Sequence, residues 1–222
     1  QKIEDGGDAK FGPDMDAAMR DKVKAKLKEC GIKLVNFGVA HAKDEAGWKA
    51  LFNFAKDMGI ETIVSEPAEK DLEMIDKLCG EYGINVAIHN HPQPSHYWNP
   101  DIVLAACNGR SKRIGACADT GHWMRSGLVP VECLKKLEGR IVSLHFKDIK
   151  LPEKKDQPWG TGDCNAVKML AELRRQGFKG VFSVEYENKT PELVSNVQKC
   201  VEFFNKCAGM SQKELEAFSD KK

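Results

Sequence analysis

Four polar residues close four short apolar runs, and their types are those that hold a metal ion. His89 ends Ile84-Asn-Val-Ala-Ile-His89, and Asp119 ends Arg113-Ile-Gly-Ala-Cys-Ala-Asp119. His145 ends Arg140-Ile-Val-Ser-Leu-His145, and Glu185 ends Val181-Phe-Ser-Val-Glu185. Two imidazoles and two carboxylates suit one divalent ion such as Mn²⁺, Zn²⁺, Co²⁺ or Fe²⁺. A single histidine at a strand end is more often a hydrogen-bonded structural residue. Four in series, each at the same place in its segment, shift the balance toward a metal site and toward an enzyme.

Further candidates cluster around these four. Glu66 ends Thr62-Ile-Val-Ser-Glu66, where it reads as a general base, as a fourth ligand in place of His89, or as a capping carboxylate. His91, two residues past His89, touches substrate or exchanges roles with it. His122, in the Asp119-Thr-Gly-His122 turn, binds substrate, holds a second ion or braces the turn. Lys147 pairs with Asp148 or Glu185, or holds a substrate oxygen. Trp159 lies in Gln157-Pro-Trp-Gly-Thr-Gly162, where glycine lets backbone approach a ligand and the indole either offers a face to a ligand ring or simply packs. Glu66, Glu185 and Lys147 are the catalytic candidates, and His91, His122 and Trp159 the substrate-binding ones.

The elements that must position these residues are also legible. Four helix-like segments end in glycine plus an apolar residue: Gly31-Ile32, Gly59-Ile60, Gly83-Ile84 and Gly177-Phe178. Glycine just past a helix takes the left-handed cap conformation cheaply, and the next residue packs back. Strand cores follow near 34–40, 62–67, 84–91, 113–119, 141–148 and 180–187, with helical patterns between several of them. Such alternation predicts a parallel sheet covered by helices. Parity separates a closed barrel from an open sheet. Val142, Leu144 and Phe146 share one strand face, while Ser143, His145 and Lys147 share the other. Phe182 and Val184 likewise oppose Ser183 and Glu185. The apolar face would meet outer helices and the small or polar face would line a barrel, with the proposed ligands at its C-terminal end.

Composition bounds the function. With 222 residues and 41% hydrophobic content the chain can bury a good core. Its 34 Lys and Arg balance 33 Asp and Glu, so no net field recruits nucleic acid or an anionic membrane surface. Eight cysteines without metal-knuckle spacing read as free thiols, with Cys30, Cys79, Cys200 and Cys207 expected buried, which favours a reducing, cytoplasmic setting. The chain opens on Gln1 with a polar, glycine-rich stretch through Asp16, so removal of a leader or a longer preceding segment is expected and a secreted setting stays open.

The ordered set Ile88-His-Asn-His-Pro92, Ala118-Asp-Thr-Gly-His122, Leu144-His-Phe-Lys-Asp148, Trp159-Gly-Thr-Gly162 and Ser183-Val-Glu-Tyr-Glu187 resembles the xylose isomerase-like TIM-barrel superfamily of sugar phosphate isomerases and epimerases. The resemblance implies a (β/α)8 TIM barrel from which the first two strands are missing in this chain. The resemblance runs from about Gly31 to Cys207, within a single domain expected over residues 1–208 and followed by a charged C-terminal tail over 209–222, a frayed helix or an extended end. It implies metal ligands at His89, Asp119, His145 and Glu185, although the family carries glutamate where this chain has His89. It also implies a small-molecule sugar substrate, with a homo-oligomer compatible. The implied activity is isomerisation or epimerisation through an enediolate. A lyase or hydratase (dehydratase) acting on a keto-sugar or inosose is the alternative, and a carbohydrate-binding barrel without catalysis is the third. A DNA-repair nuclease is disfavoured, because six histidines are few for a histidine-rich metal cluster and the lysines are interleaved with acids rather than gathered in a stripe.

Overall fold

A computed structural model describes residues 10–219. Its contacts divide the chain into two units, one running to Ala87 with Gly109–Ile114, the other comprising Ile88–Asn108 and everything after Gly115.

The first unit holds helix α1 (Ala17–Glu29), strand β1 (Asn36–Ala40), α2 (Glu45–Met58), β2 (Thr62–Ser65), α3 (Leu72–Tyr82) and the start of β3 (Asn85–His89). Helix α2 begins where the Asp44 side chain accepts the Gly47 N–H at 2.8 Å, which satisfies one of the donors a helix start leaves open. Trp48, Leu51, Phe52, Ala55 and Met58 recur at helical spacing and are all buried. Phe54 joins Phe11 and Phe37 in an edge-to-face ring cluster. Burial of the Phe54 ring contributes roughly 1.5–3 kcal/mol relative to exposure. The helix stops at Gly59, whose φ of 71° is left-handed, and the Ile60 N–H returns to the Ala55 carbonyl at 2.8 Å. Gly31, Gly83 and Gly177 also have positive φ, so all four expected glycine stops are present. Strands β1 and β2 pair in parallel, Asn36 opposite Thr62.

The second unit holds the end of β3, α4 (Pro100–Cys107), β4 (Ile114–Asp119), α5 (Thr120–Arg125), α6 (Pro130–Lys136), β5 (Ile141–Phe146), β6 (Asp148–Lys150), β7 (Lys155–Gln157), α7 (Ala166–Arg175), β8 (Val181–Val184), α8 (Leu193–Ala208) and α9 (Gln212–Ser219). Strands β4, β5 and β8 are parallel neighbours. The long strands number six, β1 to β5 and β8, among the described residues, which matches the six expected from sequence. The short β6–β7 hairpin is antiparallel and was not anticipated. It is too short and polar to show a periodic apolar pattern.

One expectation is corrected here. Cys30 is exposed, because α1 buries no residue and Cys30 caps it; the other seven thiols are buried, and all eight are free. The charged segment after Ala208 is helical over Gln212–Ser219. Leu215 is buried, Gln212 Nε2 donates to the Ala171 carbonyl at 3.3 Å, and Arg174 donates to the carbonyls of Cys207, Ala208 and Met210. That guanidinium satisfies carbonyls that the end of α8 would otherwise leave open. No helix of the described residues is long and apolar enough to cross a membrane.

Candidate active site

Strand register brings the candidates together. Asp119 on β4 lies opposite His145 on β5, which in turn lies opposite Ser183 on β8, two residues before Glu185. In parallel strands, residues at matched register point to the same face, so alignment at the strand ends places their side chains side by side. The His89 and His145 ring centroids are 4.8 Å apart. His145 Nδ1 lies 3.6 Å from Glu185 Oε2, and His89 Nε2 lies 3.7 Å from Asp119 Oδ2. His91 stacks edge-on against His89 at 4.4 Å, and His122 lies 5.7 Å from His89.

Several residues that sequence reading passed over hold this cluster in place. Asn90 clasps the Asp119 backbone, donating to its carbonyl at 2.9 Å and accepting its N–H at 2.8 Å. Thr120 Oγ1 donates to the Lys147 carbonyl at 2.6 Å and accepts its N–H at 2.8 Å. Gly121 is required beside them, because a Cβ there would lie 2.5 Å from Lys147 Cδ. The Lys147 side chain is 0% exposed, and its Nζ meets Glu187 Oε2 at 2.5 Å, Asp119 Oδ2 at 3.6 Å and Glu185 Oε1 at 3.9 Å. Its closest partner is thus Glu187, which lies on the same parity as Glu185 and carried no assigned role.

Asp148 does not pair with Lys147. It is buried and accepts the backbone N–H groups of Gly160, Gly162 and Cys164 at 2.9–3.0 Å, fixing the glycine loop. Trp159 on that loop is 3% exposed, with its ring 4.6 Å from Phe146 and 6.3 Å from Phe204. Its faces are taken up by core packing, so the expected sugar platform at Trp159 is corrected to a core residue. Glu66 belongs to the first unit, where it is half-buried immediately after β2.

The electrostatics sort the titratable groups. Burial works to raise the Asp119 carboxyl, but the His89 imidazole, the Lys147 ammonium and His122 outweigh it and hold it well below the ordinary range. Burial lowers His145 to about 4 and His122 to about 3. Glu185 is raised, chiefly by burial, against the pull of Lys147. Glu187 feels burial too, but its bond to Lys147 leaves it lowered.

These states fit a divalent cation, whose ligands must be ionised carboxylates and neutral imidazoles. Asp119 Oδ2 is buried without a hydrogen-bond partner, an arrangement that costs stability unless a cation completes it. His89, Asp119 and His122 offer ligand atoms within 4.8 Å of one another.

Comparison with known proteins bears on the fold and the family. A curated protein of Methanocaldococcus jannaschii, itself uncharacterized, is 28% identical over 123 residues, 53% of this chain. The match spans only 42% of that relative's length. A crystal structure of an uncharacterized protein from Parabacteroides distasonis is 36% identical, covering 90% of this chain and 80% of its own, with a TM-score of 0.70. A D-tagatose 3-epimerase-like protein shares the fold at 18% identity and TM-score 0.69, covering 87% of this chain and 86% of its own. The family model for the xylose isomerase-like TIM barrel matches residues 3–207, and the chain therefore belongs to that family.

Proposed function

We propose that the protein is a divalent-metal-dependent isomerase or epimerase of ketoses or related keto-sugars. The observation that carries this reading is a pair of unlike carboxylates around one buried lysine. Asp119 Oδ2 and Glu185 Oε1 lie 3.6 Å and 3.9 Å from Lys147 Nζ. The Asp119 carboxyl is held below the ordinary range by His89, Lys147 and His122, while burial raises that of Glu185. Environments that push two carboxyls apart give them different work. The family to which the chain belongs supports sugar chemistry at this site.

Asp119, His89, His145 and Glu185 would hold the ion. When bound, it supplies Lewis-acid polarisation of a sugar carbonyl and so acidifies the adjacent C–H. Glu185 takes that proton. Lys147 and His122 donate to the oxygen on which negative charge develops. Glu187 holds the Lys147 ammonium in place at 2.5 Å. Return of the proton to the neighbouring carbon, with the hydroxyl proton passed between the two oxygens, isomerises the sugar, whereas epimerisation needs a second proton donor on the opposite face. Glu66, in the first unit, is assigned no step.

Dehydration of a keto-sugar is the second reading, favoured by the imidazole at His89. Symmetric epimerisation needs a base on each face of the substrate, and an imidazole engaged as a ligand supplies none. Product analysis after incubation with a ketose panel and Mn²⁺ or Zn²⁺ separates the two. A rearranged sugar supports isomerase or epimerase work, while a new alkene with loss of water supports the dehydratase. Binding without turnover would leave a carbohydrate-binding barrel.

A further inference from the structure

Arg125 decides which nitrogen of His122 carries a proton. Its Nη1 lies 3.0 Å from His122 Nδ1. A guanidinium only donates and stays charged, so Nδ1 must accept, and the ring's single proton then sits on Nε2. That nitrogen faces Asp119, whose Oδ2 is 3.4 Å away and has no partner in hydrogen-bond geometry.

Arg125 is itself held from three directions. Its Nη2 donates to Asp156 Oδ1 at 2.6 Å, its Nη1 lies 3.3 Å from Glu187 Oε2, and its Nε donates to the Lys154 carbonyl at 3.3 Å. Asp156, on β7, is 1% exposed, and its other oxygen accepts the Glu187 N–H at 2.7 Å. A planar fork with several fixed donors is what such an arrangement needs, and lysine does not supply it. The unanticipated β6–β7 hairpin therefore has a purpose: it delivers the carboxylate that aims Arg125 at His122.

We propose that Arg125 is a positioning residue that fixes His122 as the Nε2–H tautomer, which excludes His122 from the metal's ligands and makes it a hydrogen-bond donor to a substrate oxygen. The position of His122 alone does not settle this, since its ring lies close enough to His89 and Asp119 to complete a ligand set. The tautomer does, because a ring nitrogen that carries a proton has no in-plane lone pair for a cation. Which nitrogen of a histidine is free is set by the bond the other one makes. The donor role rests on the proposed function; the tautomer and the exclusion from the metal do not.

Multiple-bond proton–nitrogen correlation spectra of isotope-labelled protein read the tautomer of each imidazole directly, with His122→Gln assigning the signals. At neutral pH the wild type should show His122 with its proton on Nε2, and Arg125→Met should give a mixture of tautomers. Titration with Zn²⁺ should move the His89 and His145 signals while His122 keeps its Nε2 proton. The proposal is overturned by a proton on Nδ1 in the wild type, by an unchanged tautomer in Arg125→Met, or by loss of the His122 Nε2 proton on zinc binding. The wild-type spectrum and the zinc titration do not need Arg125→Met, so they decide the matter even if that variant does not fold. In turnover, Arg125→Met should lower kcat about tenfold with KM little changed, the size expected for an outer partner. Absence of turnover in the wild type would count against the proposed function and leave the tautomer result standing.

Discussion

Asp119 uses its two carboxylate oxygens differently toward one residue, His122. Oδ1 accepts the His122 backbone N–H at 2.8 Å and so caps α5, while Oδ2 stands 3.4 Å from Nε2 of the same histidine's ring without a hydrogen bond. One atom holds the backbone, and the other would meet the cation of the proposed site. Asp119→Asn separates the two jobs, because an amide oxygen still caps a helix. The variant should fold with little loss of stability, yet bind Mn²⁺ more than about 100-fold more weakly, beyond the range of outer-partner losses. Calorimetric titration with Mn²⁺ checks this, and wild-type affinity in the variant would remove Asp119 from the ligand set.

Glu185 should set the acid limb of the rate profile. In the metal-free protein burial raises its carboxyl, whereas a divalent cation on the same carboxylate would lower it. The acid limb of metal-loaded protein should therefore lie at lower pH than the Glu185 ionisation of the metal-free protein. Glu185→Gln should lower kcat by about 10²–10⁴-fold, the usual contribution of a general base. Steady-state kinetics across pH with both proteins gives the answer.

Acid should destabilise the protein prepared without metal. His122 and His145 have folded pKa values of about 3 and about 4 against 6.5 for a free imidazole, so below 6.5 the unfolded chain binds more protons than the folded one. Their contribution is intact above 6.5 and is lost as pH falls toward about 4 and then about 3. Urea midpoints measured in chelator across this window should fall steadily with pH, and a flat profile would contradict the buried neutral imidazoles.

Trp159→Phe distinguishes a core tryptophan from a sugar platform. The ring packs on Phe146 and Phe204, and its Nε1 is buried without a hydrogen-bond partner. The smaller ring should cost about 1–3 kcal/mol through the space it leaves, with no change in KM. A raised KM at unchanged stability would restore the substrate role.

The strand ends were legible because a buried strand announces itself twice, by its apolar run and by the polar residue that closes it. Asp119, His145 and Glu185 each stood at such an end, and parallel register then aligned them. The residues that hold them were not legible. Arg125 and Asp156 are 31 positions apart, and the hairpin that joins them has no periodic pattern. Asn90 and Thr120 sit among other polar residues, and only their bonds to backbone set them apart. Trp159 misled because a glycine loop is ordinarily exposed, whereas Asp148 pulls this one inward through three backbone N–H groups.

Solvent deuterium tests the proposed chemistry most directly. Metal-loaded protein incubated in D₂O with a ketose panel should place deuterium on the carbon next to the carbonyl of at least one sugar. All carbons and oxygens should be retained, and Glu185→Gln should abolish the exchange. Exchange that persists undiminished in Glu185→Gln, or no exchange by the wild type with any sugar, would contradict proton abstraction by Glu185.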